Sequence, residues 1–112
     1  MRNHARASDI TVAMNGTQEL KVAVAQFTVR REPEWNLDII DGYAWQAADA
    51  GARLLVLPEG LIARDGDDDM FAAAHAQPLD GPFVTGLRRI SEERHITLMG
   101  AVHAVSGAAD AG

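Results

Sequence analysis

Cysteine is absent from this 112-residue sequence. The chain therefore holds no disulfide, no thiolate metal site and no thiol nucleophile of its own. Lysine occurs once, as Lys21, and aromatic side chains make up only 5% of the residues. Basic residues are outnumbered, with 10 Lys and Arg against 16 Asp and Glu, for a formal charge of −6. A net negative surface repels phosphate backbones and anionic lipid, which disfavours nucleic acid and membrane surfaces as partners. No apolar run approaches the roughly 18–20 residues that a membrane span requires. Arg2 and Arg6 are followed by no apolar stretch of the kind a secretory signal needs. The lack of disulfides suits a reducing, cytoplasmic setting.

What is present is globular in character. Hydrophobic residues reach 47%, but twenty of them are alanine, so the larger apolar side chains are fewer than that figure suggests. A chain of this length buries roughly two-thirds of its unfolded surface, enough for one modest core. Alanine-rich helices of this kind pack closely against something flat, such as a sheet.

Residues 1–19 are polar and aperiodic and read as a flexible N-terminal tail, with Met14 as an alternative start. Residues 20–112 form the domain. Leu20 to Phe27 is short, β-branched and nearly continuous in apolar character, the pattern of a strand covered on both faces. Pro33 interrupts the chain, and from Trp35 the apolar residues Leu37, Ile40, Ala44, Ala47 and Ala48 follow helical spacing up to a C-terminal cap at Gly51. Arg53 to Leu57 is a second buried strand, stopped by Pro58. Strand, helix, strand predicts a right-handed βαβ unit. A short helix over Met70–Ala76 follows. Then comes a turn at Leu79-Asp80-Gly81-Pro82, a helix that opens with Pro82 and buries Phe83, Leu87 and Ile90, and a third strand over 96–102.

Several sites are set aside by spacing. Asp65, Asp67 and Asp69 match the first three ligands of a calcium loop, but Met70 stands where glycine is required and Ala76 where glutamate is required. His75, His95 and His103 are too scattered to pair on a metal. No glycine-rich phosphate loop, dinucleotide fingerprint or nucleophile elbow is present, which disfavours a small flavodoxin-like binding domain. What remains is Glu59, directly after Pro58 at the end of a buried parallel strand. That places a carboxylate at the sheet edge where open α/β folds put their ligand crevice. Partly desolvated there, it would suit the work of a general base; the alternative is a solvated glutamate at a strand end.

The surrounding residues add to this. Val22-Ala23-Val24-Ala25-Gln26-Phe27, then Asn36 at the helix start, then Gly51 to Gly60 with Leu57-Pro58-Glu59 resemble the opening of the carbon–nitrogen hydrolase (nitrilase) superfamily. Val56 to Asp65 looks most like bacterial amidases related to deaminated-glutathione amidase, and the match spans about residues 20–105. The resemblance implies a four-layer α/β/β/α sandwich, of which this chain supplies the N-terminal βαβαβ portion. It further implies a Glu–Lys–Cys triad acting on a small amide through a thioester, with Glu59 as the general base, no cofactor and no metal, and assembly into dimers. The family's Lys and Cys lie beyond the strand that ends near Val102. Lys21 is at the wrong place to serve, so the chain reads as truncated before two of the three triad members. By itself it is expected to be inactive. The expected alternatives are part of an amidase or a non-catalytic remnant that docks on a full-length relative, with a homo-oligomer among the expected assemblies.

Three further expectations follow. The strands near 20–27, 53–58 and 96–102 should be parallel. Glu59 should lie at the carboxyl edge near the end of the first. Alternate members of Val22, Val24, Leu55, Leu57, Leu98 and Val102 should point to a face that nothing covers, leaving the chain marginal or self-associating.

Overall fold

The structure is a computed structural model and describes residues 10–15 and 18–105. In chain order its elements are β1 (Ile10–Asn15), β2 (Gln18–Ala25), α1 (Pro33–Asp49), β3 (Leu54–Val56), α2 (Asp69–Ala74), α3 (Pro82–Arg94) and β4 (Thr97–Met99). They build one sheet in the order β1-β2-β3-β4. The last three strands run parallel, with Ala23 beside Leu55 and Leu55 beside Leu98. This is the α/β arrangement expected of the alternating pattern, with both parallel connections made through helical segments.

The first strand was not expected. Ile10–Asn15 falls within the stretch read as a flexible tail, yet it pairs antiparallel with β2, from Ile10 beside Ala25 to Asn15 beside Gln18. Gln18 and Glu19 of that stretch belong to β2, and residues 1–9 and 16–17 lie outside the described residues. The missed signal was local. Ile10-Thr11-Val12 is β-branched, and Asn15-Gly16 is the pair most often found between two hairpin strands. Polarity around it hid a strand of only 6 residues.

Strand β2 lies two residues earlier than predicted, and β3 and β4 are shorter than predicted. Beyond β3, the Leu57 N–H still donates to the Met99 carbonyl at 2.8 Å; Pro58 then has no N–H to offer and the ladder stops. Past Met99 the chain leaves the sheet. The Ala101 carbonyl accepts from Leu61 N–H at 3.2 Å, and residues 103–105 pair with Gln77 through bonds of 3.3 and 2.9 Å.

Helix α1 begins at Pro33 rather than Trp35, because proline at the first helical position loses no bond that the helix needs. Its end is closed by Gly51, at φ +89°, and by the Lys21 ammonium, which donates to the Ala50 carbonyl at 3.2 Å. Helix α3 opens on Pro82 as expected and ends on His95 in the left-handed region at φ +56°. Ser91 Oγ donates to the Ile96 carbonyl at 2.6 Å across that turn.

The two long helices lie against each other. Gly86 of α3 stands so close to Leu37 of α1 that a Cβ there would meet Leu37 Cδ1 at 2.7 Å. Arg94 grips Asp41 through two bonds of 2.8 and 3.0 Å. Hydrogen bonding to Asp41 raises the Arg94 pKa above its ordinary value, so the guanidinium's share of the pairing is lost only as the pH rises through that raised pKa. Ala23, Ala25 and Leu55 are buried on the face beneath the helices, with Ile39, Ile40, Ala44 and Phe83 packed over them. Among the described residues no element covers the opposite face, and Val24 (37% exposed) and Met99 (56%) stand on it in register with Val56. Of the six side chains named for alternation, Leu55 and Leu57 are buried and Val24 is exposed. Val22, Leu98 and Val102 are half-buried.

Candidate active site

Glu59 follows β3 by three residues, at the carboxyl end of the parallel strands. The segment after it is a buried loop, held by hydrogen bonds on both sides. Gly60, Leu61, Ile62 and Ala63 are all buried, although they belong to no regular element. Buried backbone must find partners, and this stretch finds them on both sides. Leu61 N–H reaches the Ala101 carbonyl, and Arg64 N–H donates to the Arg30 carbonyl at 2.9 Å. Between these, Asn36 ties the loop to the turn before α1. Its Nδ2 donates to the Ile62 carbonyl at 3.0 Å and the Arg30 carbonyl at 2.9 Å, while its Oδ1 accepts from Arg30 N–H at 2.7 Å. Asn36 is fully buried and is the one polar side chain in the core of the described residues. The sequence pointed to it only as a helix-start residue; its work is to join the loop after β2 to the loop after β3.

Glu59 itself is exposed, so the desolvation expected of it is absent in this chain. It lines a shallow cleft of about 210 Å³. One wall is Phe27, Thr28 and Val29, the residues that follow β2; the other includes Pro58, Arg64, Gly66 and Asp67. The first wall is firm, because Val29 is buried and the Phe27 ring stacks on Tyr43 of α1 with centroids 5.1 Å apart. Glu59 and the end of the first parallel strand therefore meet, as expected.

Three members of the cleft escaped the sequence reading. Thr28 stands on the wall that follows β2, while Arg64 and Asp67 come after a turn at Gly60, whose φ is +62°. The signal for Arg64 was a glycine directly after the glutamate with an arginine four residues on, a spacing that lets a long side chain fold back over bare backbone. Lys21 is held at the end of α1 and is not part of the cleft.

The aspartate loop has its own structural tasks. Asp65 pairs with Arg31 at 2.7 Å, and the Arg31 guanidinium lies 4.7 Å from the centre of the Phe71 ring. Asp68 caps α2, accepting from Met70 N–H at 3.0 Å and Phe71 N–H at 3.2 Å. A larger cavity of about 370 Å³ between α3 and β4 is lined mainly by apolar side chains such as Leu57, Val84, Leu87 and Leu98. It carries no acid or base suited to catalysis.

Comparisons with known proteins bear on this cleft. No family model matches the chain. No solved structure gives a significant match. Curated proteins do match. Over 88 residues, 79% of this chain and 30% of the relative, it is 36% identical to Hydrolase Rv0480c of Mycobacterium tuberculosis. Over 85 residues, 76% of this chain and 32% of the relative, it is 39% identical to deaminated glutathione amidase of Escherichia coli O157:H7. The chain thus spans 30–32% of the length of the curated relatives it matches.

A parallel α/β sheet with a carboxylate at its strand ends, in a chain whose relatives are named hydrolase and amidase, is a relative of carbon–nitrogen hydrolases. The chain resembles the N-terminal part of the carbon–nitrogen hydrolase (nitrilase) superfamily, and deaminated glutathione amidase is among the bacterial amidases it is similar to.

Proposed function

We propose that this chain forms the N-terminal part of an amidase that cleaves small non-peptide amides, and that Glu59 is its general base. The carrying observation is the placement of Glu59 in a cleft at the carboxyl end of a parallel sheet, on a loop pinned by Asn36, Leu61 and Arg64. In this reading Glu59 takes the proton of a cysteine thiol that attacks the amide carbon, and later passes a proton to the departing amine. A lysine ammonium holds the charge that develops on the carbonyl oxygen. Both of those groups come from outside residues 1–112, and the bare sheet face receives the second sheet of a four-layer sandwich. No cofactor or metal enters the reaction, and the setting is cytoplasmic.

The chain alone has no thiol. Since such triads act as a unit, it should release no ammonia from any amide. Turnover by the isolated chain that disappears in Glu59→Gln would overturn this mechanism. A graft tests the role directly. Residues 20–105 replace the matched stretch of the E. coli amidase, and Glu59→Gln in that graft should lower kcat/KM by about 10²–10⁴-fold. Undiminished activity would assign Glu59 to the solvent.

The bare face supports a second reading. Val24 and Met99 stand exposed on it, and among the described residues the outer edge of β4 pairs with no further strand. A non-catalytic module that docks on a full-length relative, or on a second copy, would use that surface. Restoration of amidase activity by the graft favours the first reading over this one.

A further inference from the structure

The cavity between α3 and β4 has the build of a ligand site, away from the cleft that holds Glu59. Its volume, about 370 Å³, lies within the roughly 300–1,000 Å³ of small-molecule pockets. Leu98 pairs in register with the buried Leu55, so it stands on the helix side of the sheet. Leu98, Leu57 and Val102 line the cavity from the sheet side, and Val84 and Leu87 line it from α3. Leu57 is buried and the others are half-buried, while Leu79 at the border is 64% exposed. Packed interiors hold few voids larger than a water molecule. A space of this size and lining therefore suits an apolar ligand segment better than water.

One charged side chain joins this lining. Arg88 is exposed, and among the described residues no carboxylate lies within ion-pair distance of it; the ion pairs there belong to Arg31 and Arg94. Ser91 Oγ, also in the lining, gives its proton to the Ile96 carbonyl at 2.6 Å. Arg88 thus supplies the charged donors, and its planar fork matches the two oxygens of a carboxylate. Glu92 stands one helical turn further along α3, and the whole chain carries −6. Both disfavour a doubly charged head such as phosphate.

We infer that this cavity binds an unbranched aliphatic monocarboxylate, its tail between α3 and β4 and its carboxylate on Arg88. Neither Glu59 nor the sheet face opposite the helices takes part, so the site is independent of the amidase reading.

The test is a titration of the full isotope-labelled chain, followed by amide and methyl resonances. The probes are octanoate, hexanoate, octanol and octylammonium, all below their micelle concentrations. Octanoate should saturate and shift Val84, Leu87, Leu98 and Val102, and hexanoate, shorter by two methylenes, should bind about tenfold more weakly. Arg88→Gln should weaken octanoate by about three- to tenfold and leave octanol unchanged. Val84→Trp should fill the cavity and abolish binding; Arg88→Gln, at an exposed position, keeps the test intact if that variant does not fold. Lysine at both Val24 and Met99 should not weaken octanoate. Equal binding of octanoate and octylammonium, undiminished binding in Arg88→Gln, or loss of binding in the lysine variant would each overturn the inference. Shifts at the same residues that follow protein concentration instead of ligand would give the cavity to a second copy. Binding that is present in the isolated chain and lost in the E. coli graft would give it to the chain beyond residue 105. Either result would overturn the inference as well.

Discussion

Replacing Asn36 should unfold more of this protein than any other polar substitution. The side chain is fully buried and makes three hydrogen bonds of 2.7, 2.9 and 3.0 Å. Asn36→Ala removes all three and leaves Arg30 N–H and the Ile62 carbonyl without their partner. A neutral hydrogen bond contributes about 0.5–1.5 kcal/mol net, and a buried group left unsatisfied costs about 1–3 kcal/mol. Arg30 is exposed, so water relieves part of its loss, and the expected total is about 2–4 kcal/mol. With a urea dependence of about 1–3 kcal/mol per molar, the unfolding midpoint should fall by about 1–2 M. Asn36→Asp is the sharper variant. It keeps the oxygen that accepts from Arg30 N–H but turns a second oxygen towards two carbonyls, with no solvent access. It should therefore be at least as destabilising as alanine, despite being nearly the same shape. Urea melts followed by circular dichroism read both, and amide exchange at Arg30 should quicken in Asn36→Ala. An aspartate variant as stable as wild type, or a midpoint shift below about 0.3 M for alanine, would show that Asn36 does not hold the two loops together.

Two glycines should respond unequally to alanine. At Gly100 a Cβ would meet Leu61 Cδ1 at 2.6 Å and Leu57 Cβ at 3.3 Å, both buried, so Gly100→Ala should lose about 1–3 kcal/mol in the same melts. At Gly86 the obstacle is the end of the half-buried Leu37 side chain, and alanine gains about 1 kcal/mol of helix propensity, so Gly86→Ala should lie nearer to neutral. Removing the cap with Asp68→Ala should cost about 1 kcal/mol and loosen α2, visible as faster exchange at Met70 and Phe71. Placing lysine at both Val24 and Met99 should reduce self-association and apolar-dye binding without changing the far-ultraviolet spectrum; unchanged dye binding would mean that the bare face is not the sticky one.

The parallel strands and the long helices were legible because their signals are redundant. Leu54-Leu55-Val56-Leu57 is apolar and ends at a proline, and Pro82 marks the start of α3 where the structure begins it. Strand β1 was not legible as such, since its signal rested on three β-branched residues and one Asn-Gly pair, set in polar surroundings. The position of Glu59 could be reasoned from strand polarity. Its exposure could not, because that depends on what lies over the cleft. Arg64 and Asn36 show a different limit. Each acts through contacts with residues far along the chain or through a left-handed turn, and neither leaves a periodic trace. His95, read as an ordinary polar residue, ends α3 in a left-handed conformation at φ +56° where glycine is the usual choice.

The order of the strands has a consequence for where any ligand must enter. From β2 the sheet grows in one direction only, to β3 and then β4, and α1 and α3 consequently lie side by side on one face. In doubly wound sheets the crevice opens where successive crossovers depart in opposite directions and the helices part. No such divide exists between these strands, so the architecture supplies no ready-made opening. Whatever enters at the strand ends must be received by the loops after β2 and β3 alone. The shape of that entrance depends on how firmly one buried asparagine holds the two loops together.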